Sequence, residues 1–335
     1  MEPAGALIGE TNGEAGKGLL AQFSAQDPCV IWPGECAILY PERLLSNNFP
    51  DLRETLGLER LEDNVFRGTS PESLGPRVYG GQVVAQCLLA AYETVAADLR
   101  CHSLHGYFLR AGDPLVPIFF DVEQLSSGRS FAVRRITARQ GERLILGMMA
   151  SFHIHEAGFN HQTPMATDAP GPEGFEHISL VEARLSEHTG KAAASWLQAI
   201  DMRVVEPARE DLLGLGTPPR KRAWFRVRGE IGNDPRWHQV ALAYASDRTL
   251  LTASMIPHGT RWNSPGMQSA SLDHAVWFHR ATDLSKWHFY EMESPSASGA
   301  LGFSRGAIFA QDGTLVASSA QEGLIRPPAG TPNLV

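Results

Sequence analysis

No apolar run in this 335-residue sequence approaches the roughly 20 residues that a membrane-spanning helix needs. A bilayer span is therefore not expected. Cysteine is scarce: Cys29, Cys36, Cys87 and Cys101 include no CxxC pair, which argues for a reducing compartment over a disulfide framework. Positive charge is in deficit, with 29 Lys and Arg against 37 Asp and Glu, a net charge of −8. Nucleic-acid phosphates would be repelled by that balance. Gly80-Gly81 precede a helix-like segment, but GxGxxG and GKS/T are both missing, so a phosphate-binding loop is not supported. Met1-Glu2-Pro3-Ala4-Gly5 lacks the basic start and apolar stretch of a secretory signal. Pro332-Asn333-Leu334-Val335 differs from a Ser-Lys-Leu type address, and a cytoplasmic location is expected.

What is present is a duplication. Phe108-Leu109-Arg110-Ala111-Gly112-Asp113 returns 170 positions later as Phe278-His279-Arg280-Ala281-Thr282-Asp283. Ala138-Arg139-Gln140-Gly141 is echoed by Ala310-Gln311-Asp312-Gly313 at an offset of 172. Each copy of the hexapeptide follows an apolar helix-like segment and precedes strand-like ones. One α+β unit written twice explains this order, whereas a solenoid needs several short repeats. Such a duplication builds a pseudo-twofold interface, a common place for pockets.

The expected organisation is an N-terminal extension over 1–60, a first unit over 61–160, a linker over 161–221, a second unit over 222–327 and a tail over 328–335. Leu52 to Leu61 reads as a short lead-in helix. In the first unit Val83, Val84, Cys87, Leu88, Ala91 and Val95 recur at helical spacing. Leu144, Leu146, Met148, Ala150, Phe152 and Ile154 alternate at the period of a sheet, as do Ile118, Phe120 and Val122. Ser127-Gly128 and Gln140-Gly141 fall where hairpin turns belong. A long apolar helix followed by an antiparallel meander suggests a sheet wrapped around that helix. The proline-punctuated linker holds a helical stretch from Ser179 to Ile200. The second unit's helix is expected over Trp237 to Leu251.

One acid stands out. Val240, Ala243, Tyr244 and Leu251 form a stripe on that helix, and Asp247 falls within it. A carboxylate on a core-facing stripe is costly unless hydrogen-bonded, which marks it as a candidate general base; the bland reading is a turn cap where the helix frays. Ser271 and Asp273 share a strand face, but no Gly-x-Ser-x-Gly elbow surrounds Ser271, so a serine nucleophile is not expected. Gln321 lies near the end of the last strand, where an amide can orient a water. His102, His105, His153 and His155 alternate in pairs but lack a third ligand at recognisable spacing, and no metal is expected.

Several collinear blocks together resemble the acyl-CoA thioesterase II family. They are Val78-Tyr79-Gly80-Gly81-Gln82-Val83-Val84-Ala85-Gln86, His105 to Asp113, Ser127-Gly128-Arg129-Ser130-Phe131, Ser271 to Arg280, and Ala320-Gln321-Glu322-Gly323. The resemblance covers roughly residues 61–327 and implies an α+β double hotdog, two antiparallel sheets each wrapped around a long apolar helix. It implies catalytic roles for Asp247, Ser271 and Gln321, with Gly80, Gly81 and Arg129 as candidate substrate-binding residues. No cofactor is implied. The substrate would be an acyl-CoA, hydrolysed by an Asp247-activated water without a covalent intermediate. A homo-oligomer is expected, and the family adds a peroxisomal alternative for location. Arg110-Ala111-Gly112-Asp113 stands where the family has Arg-Pro-Gly-Asp. Two alternatives stay open: a thioester hydrolase of a specialised, polyketide-type pathway, and a hotdog hydratase using an Asp/His dyad of Asp113 and His105.

Overall fold

Two helices buried along nearly their whole length oblige the sheet to enclose them. The computed structural model describes residues 51–71, 77–179, 181, 199–205, 217–262 and 264–328. Helix α1 (Leu52–Leu56) is short and starts on Asp51, whose carboxylate accepts the Arg53 N–H. Helix α2 (Gly80–Tyr92) is buried at every residue from Gly81 to Tyr92. Helix α3 (Pro235–Leu250) starts on Asp234, whose carboxylate accepts the Arg236 N–H at 3.0 Å, with Pro235 in the first turn. A helix buried all round needs protein on all faces, and the sheet supplies it. None of the described helices is long and apolar enough to cross a membrane.

The first unit contributes β1 (Leu58–Glu62), β2 (Val65–Gly68), β3 (Arg100–Phe108), β4 (Ile118–Ser127), β5 (Phe131–Gln140) and β6 (Arg143–His153). The second contributes β7 (Ile200–Val204), β8 (Arg220–Val227), β9 (Gln268–Ser271), β10 (Asp273–Phe278), β11 (His288–Ser298), β12 (Leu301–Ala310) and β13 (Leu315–Arg326). Their order across the sheet is β1-β2-β4-β5-β6-β3-β10-β13-β12-β11-β8-β7, with β9 paired to β13. The sequence of partners reads the same from either edge towards the β3–β10 seam, which is the signature of the duplicated unit. The two sheets of the double hotdog are thus one continuous antiparallel sheet, joined where Ala275 faces His105. Two details differ from the sequence reading. Ile200 is the first residue of a strand, not the end of a helix, and the stretch before it lies almost wholly outside the described residues. The sheet also starts earlier than residue 61, because Gly57 ends α1 and β1 begins at Leu58.

The repeated hexapeptide has the same job in both units. Arg110 donates to the Leu144 carbonyl and Arg280 to the Leu315 carbonyl, each tying the end of one strand to the start of another. Asp113 accepts the Leu115 N–H and Asp283 the Ser285 N–H, so each aspartate closes the turn that follows. These residues are architectural, which corrects the assignment of Asp113 to a catalytic dyad.

The two central helices cross at very short range. Gly81 makes this possible: a Cβ there would lie 2.4 Å from the Tyr244 carbonyl oxygen and 2.6 Å from the Tyr79 ring. Tyr79 donates its hydroxyl to that same carbonyl at 2.7 Å and stacks edge-on against the Tyr244 ring. At the other end of α2, Tyr92 donates to Gln239, which in turn donates to the Cys101 carbonyl at 2.8 Å.

Gly81→Ala sets two effects against each other. Helix propensity favours alanine by about 0.5–1 kcal/mol, while overpacking against a helix backbone costs about 1–3 kcal/mol. The second wins, and urea unfolding of the variant should show a lower midpoint; an unchanged or higher midpoint would contradict the close crossing. A pH effect follows from His177 and His288, both held down to about 4 by burial. Unfolded, they bind protons near pH 6.5, so their stabilising contribution is complete above that pH and falls on acidification towards 4, on the order of 1 kcal/mol per unit each. His288→Gln should flatten the fall of Tm over that window relative to the wild-type chain, and parallel curves would reject the assignment.

Candidate active site

Asp247 is placed by α3 and Gln321 by β13, and the two meet in the core. Gln321 Nε2 donates to Asp247 Oδ1 at 2.6 Å. The acid is only 9 % exposed and the amide is fully buried. Helical order persists through Asp247 to Leu250, so the residue is not a frayed turn cap. A carboxylate at this depth needs a donor, and the amide N–H is the one the fold brings. Gln321 Oε1 has no hydrogen-bond partner. The pair therefore offers two acceptors side by side: the remaining lone pairs of the carboxylate and the amide oxygen. That is a seat for the two protons of one water, leaving an oxygen lone pair free to attack.

The start of α2 forms the opposite wall. A Cβ on Gly80 would lie 2.9 Å from Asp247 Oδ2 and 3.0 Å from the Phe108 ring. Only glycine lets the helix end approach the acid this closely. Tyr79 caps α2 without a side-chain bond, and the first-turn N–H groups of Gly80 and Gly81 have no carbonyl one turn back to meet. Such groups can polarise a carbonyl oxygen. Burial, then the Asp247 charge, push the Tyr79 phenol well up, so it stays protonated.

Ser271 is half-buried at the end of β9, directly across from Gly323. Cross-strand partners share a face, and Gly323 shares its face with Gln321 two residues earlier. Ser271 is thus on the helix side of the sheet, roughly 7 Å along it from Gln321 by strand rise. Leu251 fills the space that a Gly323 side chain would take, its methyls 2.5 Å from that Cβ position, and walls the site with hydrocarbon.

Other candidates fall elsewhere. Arg129 is exposed in the β4–β5 turn. Register places that turn at the Arg100 end of β3, where Arg100 and Phe131 both face His153, while the site lies at the Phe108 end. Arg129 is therefore not brought together with Asp247 and Gln321: the spacing of a loop motif does not reveal which end of a sheet it occupies. His105 pairs with Asp273 at 2.9 Å, not with Asp113, and Asp273 also accepts the Glu322 N–H at 2.6 Å. This pair sits at the β3–β10 seam with His105 exposed, outside the buried site. Two polar side chains of the site's surroundings, Ser246 and Ser304, had no sequence signal of their own, and His274 entered only as part of the Ser271 to Arg280 block. His274 is fully buried, and burial lowers its pKa against the opposing pull of Asp247 and Asp273.

The chain resembles known proteins over most of its length. A family model described as acyl-CoA thioesterase matches residues 192–324, and one described as acyl-CoA thioesterase N-terminal domain matches 69–153. Acyl-CoA thioesterase 2 of Haemophilus influenzae is 38% identical over 286 residues, 84% of this chain and 99% of the relative. Acyl-coenzyme A thioesterase 8 of Homo sapiens is 36% identical over 282 residues, covering 81% of this chain and 87% of the relative. Among solved structures, the acyl-CoA thioesterase II TesB2 of Mycobacterium marinum superposes with a TM-score of 0.69 at 39% identity, covering 83% of this chain and 99% of that one.

Replacing Gln321 with the similarly sized leucine would strand the buried carboxylate. The expected cost is about 1–3 kcal/mol or more, read as a lowered midpoint in urea. An unaffected midpoint would show that Asp247 does not depend on the amide.

Proposed function

The chain belongs to the acyl-CoA thioesterase family, and on that premise we propose that it hydrolyses an acyl-CoA to the free acid and CoA with Asp247 as general base. The observation that carries this reading is the buried Asp247–Gln321 pair with its unpartnered amide oxygen. A thioester carbonyl is electrophilic and its thiolate leaves readily, so a positioned water and a base suffice. Gln321 Oε1 and the Asp247 carboxylate hold the water through its two protons. Ser271, on the same face, helps fix its position.

As the water oxygen bonds to the carbonyl carbon, Asp247 takes its proton and the carbonyl oxygen gains charge. The Gly80 and Gly81 N–H groups stabilise that oxyanion at the α2 terminus. Collapse then breaks the C–S bond, and the proton on Asp247 goes to the departing sulfur. No acyl-enzyme forms in this sequence. Geometry supports the same division of labour: one half of the chain carries the base, the other the helix end that meets the oxyanion. A hydratase reading has no support in the placement of His105 and Asp113.

Asp247→Asn keeps the size of the side chain and removes its capacity to accept a proton. Turnover, followed as thiol release from acyl-CoA, should fall by at least about two orders of magnitude with the Tm little changed. Near-normal turnover in that variant removes the mechanism.

A further inference from the structure

Gln321 does not stand alone on the inner face of the sheet. Ser304 of β12 is its direct cross-strand partner. On the other side, one register step from the Ala275–Ala320 pair, lies His274 of β10. Each of the three is fully buried. Each also carries one side-chain atom without a hydrogen-bond partner: His274 Nδ1, Gln321 Oε1 and Ser304 Oγ. Three unmet polar atoms in one row of an apolar core are costly unless something joins them.

The chemistry of the row decides what does. Ser246 Oγ lies within hydrogen-bond distance of both the Ala243 carbonyl, at 3.1 Å, and His274 Nε2, at 2.8 Å. With the hydroxyl proton on the carbonyl, His274 Nδ1 is an acceptor with nothing to give the amide oxygen; the Ser304 hydroxyl can donate in either tautomer. Ser304 is the donor in the row. Cross-strand Cβ atoms lie about 4.5–5.5 Å apart, a span that one water bridges.

We propose that Ser304 is a positioning residue for Gln321: its hydroxyl, through one internal water, satisfies one lone pair of Oε1 and holds the amide with its N–H on Asp247. The second lone pair stays available to the attacking water. This rests on the role given to Asp247 and Gln321 above.

The test is a double-mutant cycle of Ser304→Ala and Gln321→Ala, read by kcat, KM and Tm in the full chain. Ser304→Ala should lower kcat about 3- to 10-fold, the weight of one hydrogen bond, with KM unchanged, and Ser304→Thr should restore much of it. In the Gln321→Ala background the same change should have no further effect on kcat, and the Tm effects should be non-additive. A Ser304→Ala chain with wild-type kcat and a raised Tm would mark the hydroxyl as a mere orphan and overturn the proposal. Equal losses in both backgrounds would overturn it too. If the wild-type chain released no thiol, the hydrolase reading would fail, and Tm coupling between the two positions would still decide the positioning claim.

Discussion

A carboxylate buried in a core is the constraint around which this chain is arranged. Asp247 is 9 % exposed, a depth at which a carboxylate is costly without a donor, and Gln321 supplies one at 2.6 Å. The donor must come from a sheet strand, so α3 and β13 have to hold a fixed register. The acid must also be met by the start of α2, which requires a residue without a side chain at position 80. Gly81 then lets the two helices cross closely enough for that approach. Each of these features is a condition on the one before it.

Duplication made the frame, and divergence made the site. In the second unit the row beneath α3 reads His274, Gln321, Ser304. By the same register the first unit's row is Leu104, Ala150, Arg134. Two of those are apolar, and the third is a buried arginine that reaches the Thr94 carbonyl at 2.7 Å just past the end of α2. There the polar residue stabilises a helix C-terminus, whose unmet carbonyls attract a guanidinium. The turn-closing hexapeptide stayed in both copies because both need their strands joined in the same way. The residues facing the helix in this row differ between the copies.

This also explains what could be read from the sequence. The duplication, both helices and most of the strands were legible because apolar periodicity is local. Asp247 was legible for the same reason, as an acid on an apolar stripe. Ser271 and Gln321 stood out only as polar strand residues, and it was the family motifs that joined them to Asp247. Strand β7 was not legible, since five residues between prolines carry too short a pattern. The partners of His105 and Ser304 were invisible because pairing across strands depends on register, and His105 and Asp273 are 168 positions apart. The position of Arg129 was not legible for the same reason: a turn motif does not say at which end of the sheet it sits.

The location of the site between the halves has a further consequence for how many sites a chain can hold. Helix α2 contains no acidic residue, and the position corresponding to Gln321 is Ala150, so the described residues of the first unit hold no counterpart of the Asp247–Gln321 pair. What it contributes is the wall: Tyr79, Phe108 and the bare helix end at Gly80. The second unit contributes the acid, but its own α3 begins at Asp234-Pro235, a capped terminus with no Gly-Gly approach. Neither unit therefore contains both the carboxylate and the helix end that abuts it. Among the described residues the arrangement exists once, with the acid from one half of the fused pair and the helix end from the other.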